Sequence, residues 1–269
     1  MKAKLEWNVK EPERLHGEHN TKLEVDFDTI ASVFKNAVID KEYYDYIRDK
    51  KVVIVGPAGY LRGQNRGDFF TDNFDIIVRI NRSFPLEKTD WTDLGYKTDI
   101  RYHNGSENPV EGGPLFLERS NNLEYLSVIF PRHLDYFDHH INEIERKINE
   151  SDEEVKPKLH TYTDIEQFIT FHHIMKTRPN AGVATILDLL NYSPKQLHIS
   201  GMTFFTGESY IDSYSEKALK GEEHHVKRQM TNHAQGPQRD LVRMLYENYS
   251  TITLDDEVKE TLGCEEWKY

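Results

Sequence analysis

Five short apolar runs constrain this chain more than anything else in it. "KVVIVGPAG" (51–59), "DIIVRIN" (75–81), "KTDIRYHN" (97–104), "EYLSVIFP" (124–131) and "KQLHISGMTFF" (195–205) are each of strand length and end at turn residues. Runs that are apolar at consecutive rather than alternate positions belong to strands covered on both faces, the environment of a parallel sheet. Segments of helical spacing accompany them. Residues 26–50 place Ile30, Val33, Phe34, Val38, Tyr44 and Ile47 near one helix face, with Asp28 as the N-cap. Residues 134–156 read as a charged, exposed helix with a solvated end, 164–177 as an amphipathic helix, 181–193 as a more apolar one, and 233–249 as a last strong one. Strands alternating with helices predict an α/β fold, a Rossmann-like single domain with a mostly parallel sheet spanning 1–269. Residues 1–26, polar and unpatterned, read as a tail or strap. Residues 206–232, polar, aromatic and rich in histidine, are long enough without periodicity to read as a mobile lid segment.

The ends of two strands raise the question of function. "DIIVRIN" closes on Arg79 and Asn81, and "KTDIRYHN" closes on Arg101, His103 and Asn104. In an open parallel sheet, ligands sit at the carboxyl ends of the strands where the strand order reverses. An amide there offers both a donor and an acceptor, which suits a nucleobase or a sugar hydroxyl, so Asn81 and Asn104 are read as ligand-binding. The two arginines are read as snorkelling or as pairing with carboxylates such as Asp75 and Asp99. Gly56, Gly59, Gly63 and Gly67 imply a close backbone approach after the first strand. They lack the G-x-G-x-x-G spacing of a dinucleotide site, and no P-loop motif is present, which argues against a nicotinamide oxidoreductase.

A net charge of −12 argues against a nucleic-acid partner. It does not oppose a small anionic ligand held by local arginines or helix N-termini. One cysteine, Cys264, permits no internal disulfide and fits a reducing, cytoplasmic compartment. No signal-like h-region and no run long enough to span a membrane is visible; peripheral membrane association is compatible with the sequence, and the oligomeric state is open.

Three stretches in order carry a family resemblance. "VVIVGPAGYLRG" with "RGDFFTDNFDIIVRINRSFP" and "TDLGYKTDIRYHN" resembles the large motif of sialyltransferases. "RPNAGVATILDLLNYSPKQLHISGMTFF" resembles the small motif, and "HAQGPQRDLVRML" the very small motif. Together they reach roughly from Val52 to Leu245. The first half is more similar to the animal-type enzymes, the segment from Leu197 and the final helix to the bacterial ones. The chain departs from the family pattern at Val52 and about Pro194, where animal-type members carry a disulfide. It departs again at Pro57, in place of an asparagine; at Gln238, in place of a glutamate; and near Phe205, where bacterial members have a phosphate-binding tyrosine.

The resemblance implies a GT-A-like sialyltransferase variant of the Rossmann-like fold and an inverting transfer of sialic acid from CMP-sialic acid to a hydroxyl of an acceptor glycan. The partners are then a CMP-sugar donor and a glycan. No cofactor is expected, because a monophosphate leaving group can be held by hydroxyls and imidazoles without a divalent ion. His233 matches the family's general base, a role suited to an imidazole near neutral pH. Tyr210, with Tyr214 second, is the expected phosphate donor, and His225 or His224 the histidine ahead of the base. Gly56, Pro57, Gly59, Asn180, Ala181, Gly182 and Gly201 are expected to line the donor. CMP-Kdo in place of CMP-sialic acid, or an inactive CMP-sugar or glycan-binding module, are the alternatives.

No metal site is expected. The Asp26–Asp28 "DFD" precedes the first strand and reads as a helix cap, and the adjacent pairs His139–His140 and His172–His173 lack the i, i+4 spacing zinc prefers.

Overall fold

A computed structural model describes residues 22–83, 88–107, 112–115, 123–129, 137–162, 164–204 and 233–264. The strands are β1 (Lys51–Val55), β2 (Ile76–Ile80), β3 (Ile100–His103), β4 (Tyr125–Val128), β5 (Lys158–Thr161), β6 (Gln196–Ser200) and β7 (Ile252–Leu254). They form one seven-stranded sheet in the order β5-β4-β3-β2-β1-β6-β7, and every pairing is parallel. The fold is α/β, as the sequence predicts. After β1 the chain steps outward on one side through β2 to β5, then returns to add β6 and β7 on the other. The order therefore reverses between β1 and β6, and that is where such a sheet binds its ligands.

The strands form because they can bury both faces. One face of β1 and β2 (Val52, Ile54, Ile76, Val78) joins the main core with Ile186, Leu189 and Leu241, and the other (Val53, Val55, Ile77) packs on Phe70, Phe74 and Leu94. Each such side chain, fully buried, contributes about 1.5–3 kcal/mol relative to exposure. The helices covering these faces are α1 (Phe27–Lys35), α2 (Lys41–Ile47), α3 (Gly67–Asn73), α4 (Trp91–Leu94), α5 (Phe137–Glu150), α6 (Ile165–Met175), α7 (Ala181–Leu190), α8 (Gln235–Asn248) and α9 (Asp256–Leu262).

Several sequence expectations need correction. The helix expected over 26–50 is two, because the backbone leaves the helix at Asn36 and restarts at Asp40, whose side chain accepts from the amides of Glu42 and Tyr43. Asp26, not Asp28, caps α1, through the Thr29 amide. The charged helix ends at Glu150 and its solvated end is largely exposed, as expected, but an unforeseen edge strand, β5, follows it, and β7 and α9 follow α8.

The arginines behave differently from either expectation. Arg79 and Arg101 stand opposite each other in the β2–β3 register and both are fully buried. Asp75 accepts from the Lys51 amide, and Asp99 accepts from the Ile77 amide and pairs with Lys97 at 3.1 Å. The guanidinium of Arg101 instead donates to the carbonyls of Asn81 (3.0 Å), Leu115 (2.6 Å) and Pro114 (2.9 Å). Arg79 donates to those of Leu94 and Gly95. Burial pulls both guanidinium pKa values down to about 9, so both stay charged at neutral pH.

A second buried polar group sits on the opposite face. Asp188 of α7 accepts from Tyr102 Oη at 2.6 Å and meets His160 Nε2 at 3.1 Å, and the His160 ring stacks on Tyr43 at 3.7 Å between centroids.

Candidate functional site

Gly56 and Gly201 end β1 and β6 side by side, at the point where the strand order reverses. Their backbones touch: a Cβ on Gly56 would lie 2.3 Å from the Gly201 carbonyl oxygen, and one on Gly201 would lie 2.6 Å from the Gly56 oxygen. Gly201 also has φ +71°, a left-handed conformation that costs other residues energy. The Ala58 amide donates to the Gly201 carbonyl at 3.0 Å. Pro57 and Gly59 lie half-buried in this turn, the glycine opening a short 3₁₀ segment, Gly59–Leu61.

One strand further out, Asn81 follows β2 with φ +51°. Asparagine tolerates this conformation better than most residues. Its Oδ1 accepts from the Asn104 amide at 3.0 Å, and Asn104 Oδ1 accepts from the Ser106 amide at 2.9 Å. The two asparagines named from the sequence are thus joined, the side chain of Asn81 to the backbone of Asn104. Arg101 holds the Asn81 carbonyl from below, so the buried cation aligns the residue that the sequence singled out. His103, beside Asn104, is fixed as the Nε2–H tautomer: Nε2 donates to the Gly113 carbonyl (2.9 Å), and Nδ1 accepts from the Gly105 amide (3.1 Å). Burial, with the Arg101 charge, lowers its pKa to about 3, so the ring is neutral.

On the other side of Gly201, Met202 bridges to α7: a Cβ on Gly182 would lie 2.4 Å from Met202 Cε. Asn180 caps α7 through the Val183 amide at 2.9 Å, placing Ala181 and Gly182 in the first turn. The Asn180 amide in turn donates to Gln238 Oε1 (2.8 Å), while Gln238 Nε2 donates to the Ala234 carbonyl (3.1 Å). The glutamine that departs from the family pattern uses both ends of its side chain, accepting with one and donating with the other, which a carboxylate could not do. Next to Ala234, His233 Nδ1 lies 2.9 Å from the Arg178 carbonyl. A carbonyl only accepts, so Nδ1 carries the proton in the neutral ring and Nε2 is the basic nitrogen. Ala234 rather than His233 is the N-cap of α8. A path of contacts therefore runs from Gly56 through Gly201, Met202, Gly182, Asn180 and Gln238 to the backbone of Ala234, the residue after His233.

Tyr210, Tyr214, His224 and His225, the other expected site residues, lie outside the described residues, as do Phe205 and the whole 206–232 segment. Among the described residues no group of three or more His, Cys, Asp or Glu side chains could hold a metal ion, and no helix is long and apolar enough to cross a membrane.

Sequence reasoning passed over one set of residues. Asp255 stands at the N-cap position of α9 yet makes no capping bond with its side chain. Its carboxylate turns inward and collects Tyr60 Oη (2.8 Å), Ser200 Oγ (2.5 Å), His198 Nε2 (3.0 Å) and Arg66 (2.8 Å). Burial alone would push this carboxyl up, but the bonds from His198, Ser200 and Tyr60 and the Arg66 charge together hold it below the usual range. Tyr60 Oη also accepts from the Gly201 amide at 2.7 Å.

No family model matches the chain, and no curated protein does either. Solved structures do match. CstII from Campylobacter jejuni, solved with the substrate analogue CMP-3FNeuAc, aligns at TM-score 0.52 and 18% identity, over 76% of this chain and 81% of that one. A CstII variant in complex with CMP aligns at TM-score 0.51 and 17% identity, over 76% and 80%. This chain has the sialyltransferase fold. A mammalian sialyltransferase aligns more distantly, at TM-score 0.47 and 16% identity over 88% and 80%.

Proposed function

We propose that the protein is a glycosyltransferase that moves sialic acid from CMP-sialic acid to a hydroxyl of an acceptor glycan, with inversion and without a divalent metal. What carries this reading is the tautomer and placement of His233. The imidazole is tethered through Nδ1, which makes Nε2 the basic nitrogen, and the adjoining Ala234 backbone is linked through Gln238 and Asn180 toward the glycine pair at the switch point. The fold it shares with proteins solved with CMP and a CMP-sugar analogue supports the same donor class here.

In this mechanism Asn81 and Asn104 recognise the cytidine, and the Asn180–Gly182 turn of α7 and the glycine pair bind the phosphate end of the ester. His233 Nε2 takes the proton of the acceptor hydroxyl as that oxygen attacks the anomeric carbon. The bond to the CMP oxygen breaks, and CMP leaves as the monophosphate. Tyr210, with Tyr214, and His225, with His224, are assigned to the departing phosphate from the sequence resemblance. Attack opposite the leaving group inverts the anomeric centre. We place the protein in the cytoplasm, where the thiol of Cys264, free and half-buried, stays reduced.

The test is CMP release on incubation with CMP-sialic acid or CMP-Kdo and a panel of acceptor sugars, with and without EDTA, with the product's anomeric configuration read by NMR. The proposal expects EDTA-resistant release with CMP-sialic acid. His233→Ala should lower turnover by roughly 10²–10⁴-fold, the contribution of a general base. Faster turnover with CMP-Kdo would reassign the donor, and CMP binding with no turnover on any acceptor would make the chain a binding module.

A further inference from the structure

Asp255 is separated from Gly201 by 54 positions in sequence and reaches it through one side chain. The Gly201 amide donates to Tyr60 Oη, and Tyr60 Oη donates to Asp255 Oδ2. The Gly201 carbonyl is held by the Ala58 amide two residues before Tyr60. Both polar backbone atoms of the switch-point glycine are therefore tied to the turn after β1, and the carboxylate orients the hydroxyl that holds one of them. The rest of the pocket keeps the carboxylate ionised and still: Ser200 Oγ shares Oδ2, while His198 and Arg66 take Oδ1. His198 is itself held by Thr253 Oγ1 at 2.9 Å and stacks on Phe74 with ring centroids 5.4 Å apart. An aspartate at an N-cap normally accepts from the first-turn amides of its own helix; this one forgoes that bond and faces the sheet.

We propose that Asp255 is a positioning residue for the donor site, acting through Tyr60 to fix the Gly201 peptide and hence the Gly56–Gly201 contact on which the CMP-sugar rests. The assignment of that contact to a CMP-sugar rests on the function proposed above; the clamp itself does not.

The experiment compares the full-length protein with Tyr60→Phe, Asp255→Asn and Ser200→Ala. Three quantities are read: amide exchange at Gly201 and Ala58 by NMR, the Kd for CMP, and KM and kcat for donor and acceptor. Tyr60→Phe keeps the ring and removes only the linking hydroxyl. It should speed Gly201 exchange and raise both the CMP Kd and the donor KM by about tenfold, the loss of one charge-assisted hydrogen-bond link, with the acceptor KM unchanged. Asp255→Asn should move the same parameters in the same direction. Ser200→Ala removes one of the several bonds to Asp255 but none of the hydrogen bonds of Gly201, and should lower thermal stability and raise donor KM much less than Tyr60→Phe does. Unchanged Gly201 exchange and donor affinity in Tyr60→Phe would overturn the proposal, as would equal effects of Tyr60→Phe and Ser200→Ala on donor KM. If the wild-type protein neither binds nor releases CMP, the transferase reading fails, and the Gly201 exchange rates alone decide whether the clamp exists. Should Asp255→Asn fail to fold, Tyr60→Phe carries the same decision.

Discussion

The two halves of the strand-end rim are built in opposite ways. At β2 and β3 buried cations hold the loops: Arg101 and Arg79 gather backbone carbonyls of Asn81, Leu115, Pro114, Leu94 and Gly95. At β1 and β6 a buried anion is the hub: Asp255 accepts from Tyr60, Ser200 and His198 and forms an ion pair with Arg66. A loop leaving a parallel sheet carries polar groups that no strand partner satisfies, and each left buried and unpaired costs about 1–3 kcal/mol. One half answers with a many-donor cation for orphaned backbone acceptors; the other satisfies the Gly201 amide with the Tyr60 hydroxyl, which itself donates to the Asp255 carboxylate. The arginine half presents side-chain amides, at Asn81 and Asn104, while the aspartate half presents bare backbone, at Gly56 and Gly201. Under the proposed function, the first edge would meet the base and the second the phosphate.

The strongest way to break the comparison is at Arg101. Arg101→Met removes the donors and leaves several carbonyls buried without partners, so denaturant melts should show a loss of about 3–5 kcal/mol. Arg101→Lys should recover only part of it, since an ammonium cannot span the same carbonyls as a planar guanidinium. A full recovery by lysine would mean that charge, not geometry, holds the arginine half.

Acid should strain the arginine half as well, through His103. The neutral ring has a folded pKa near 3 against about 6.5 when unfolded. As pH falls below about 6.5 the unfolded chain takes up a proton that the folded one does not, so stability drops by about 1.4 kcal/mol per pH unit until about pH 3. Between pH 6.5 and 4 this one group should cost about 3 kcal/mol. Equilibrium melts of His103→Gln across that range should lack this component of the slope. Asp255, whose carboxyl is lowered, contributes stability that is present above the usual carboxylate pKa of about 4 and is lost only as pH falls below it. The aspartate half is therefore the more acid-resistant of the two.

Smaller in stability but larger in function is Gly56→Ala. Its methyl would meet the Gly201 carbonyl at 2.3 Å, so the strands must part, at about 1–3 kcal/mol. CMP affinity should fall while the Asn81–Asn104 bond survives. If CMP binding is unaffected, the glycine contact is not part of the site.

The arginine half was the more legible in sequence. Apolar runs interrupted by Arg-x-Asn and closed by His-Asn announced polar strand ends, and the α7 cap and the His233 helix followed from local patterns. What the pattern did not reveal was the arginines' partners, because backbone carbonyls carry no sequence signal. The expectation fell on Asp75 and Asp99, the nearest carboxylates along the chain. Asp255 left no local trace either. Its partners come from the β1 turn, β6 and α3's approach, and an aspartate ahead of a short helix reads as an ordinary cap. The edge strands β5 and β7, four and three residues long, are too short to show a period. The break at Asn36–Asp40 was hidden by apolar residues that continue on the same face. Val38 and Ile39, counted or passed over as helix-face residues, are instead exposed in the link between α1 and α2.

Whether the switch point holds a cytidylate is best decided by a crystal structure of the protein with CMP. The account predicts the cytosine against Asn81 and Asn104, the phosphate at the Gly56–Gly201 contact and the first turn of α7, and His233 Nε2 facing the side from which an acceptor would approach. CMP bound elsewhere, or an imidazole turned away from the nucleotide, would contradict it.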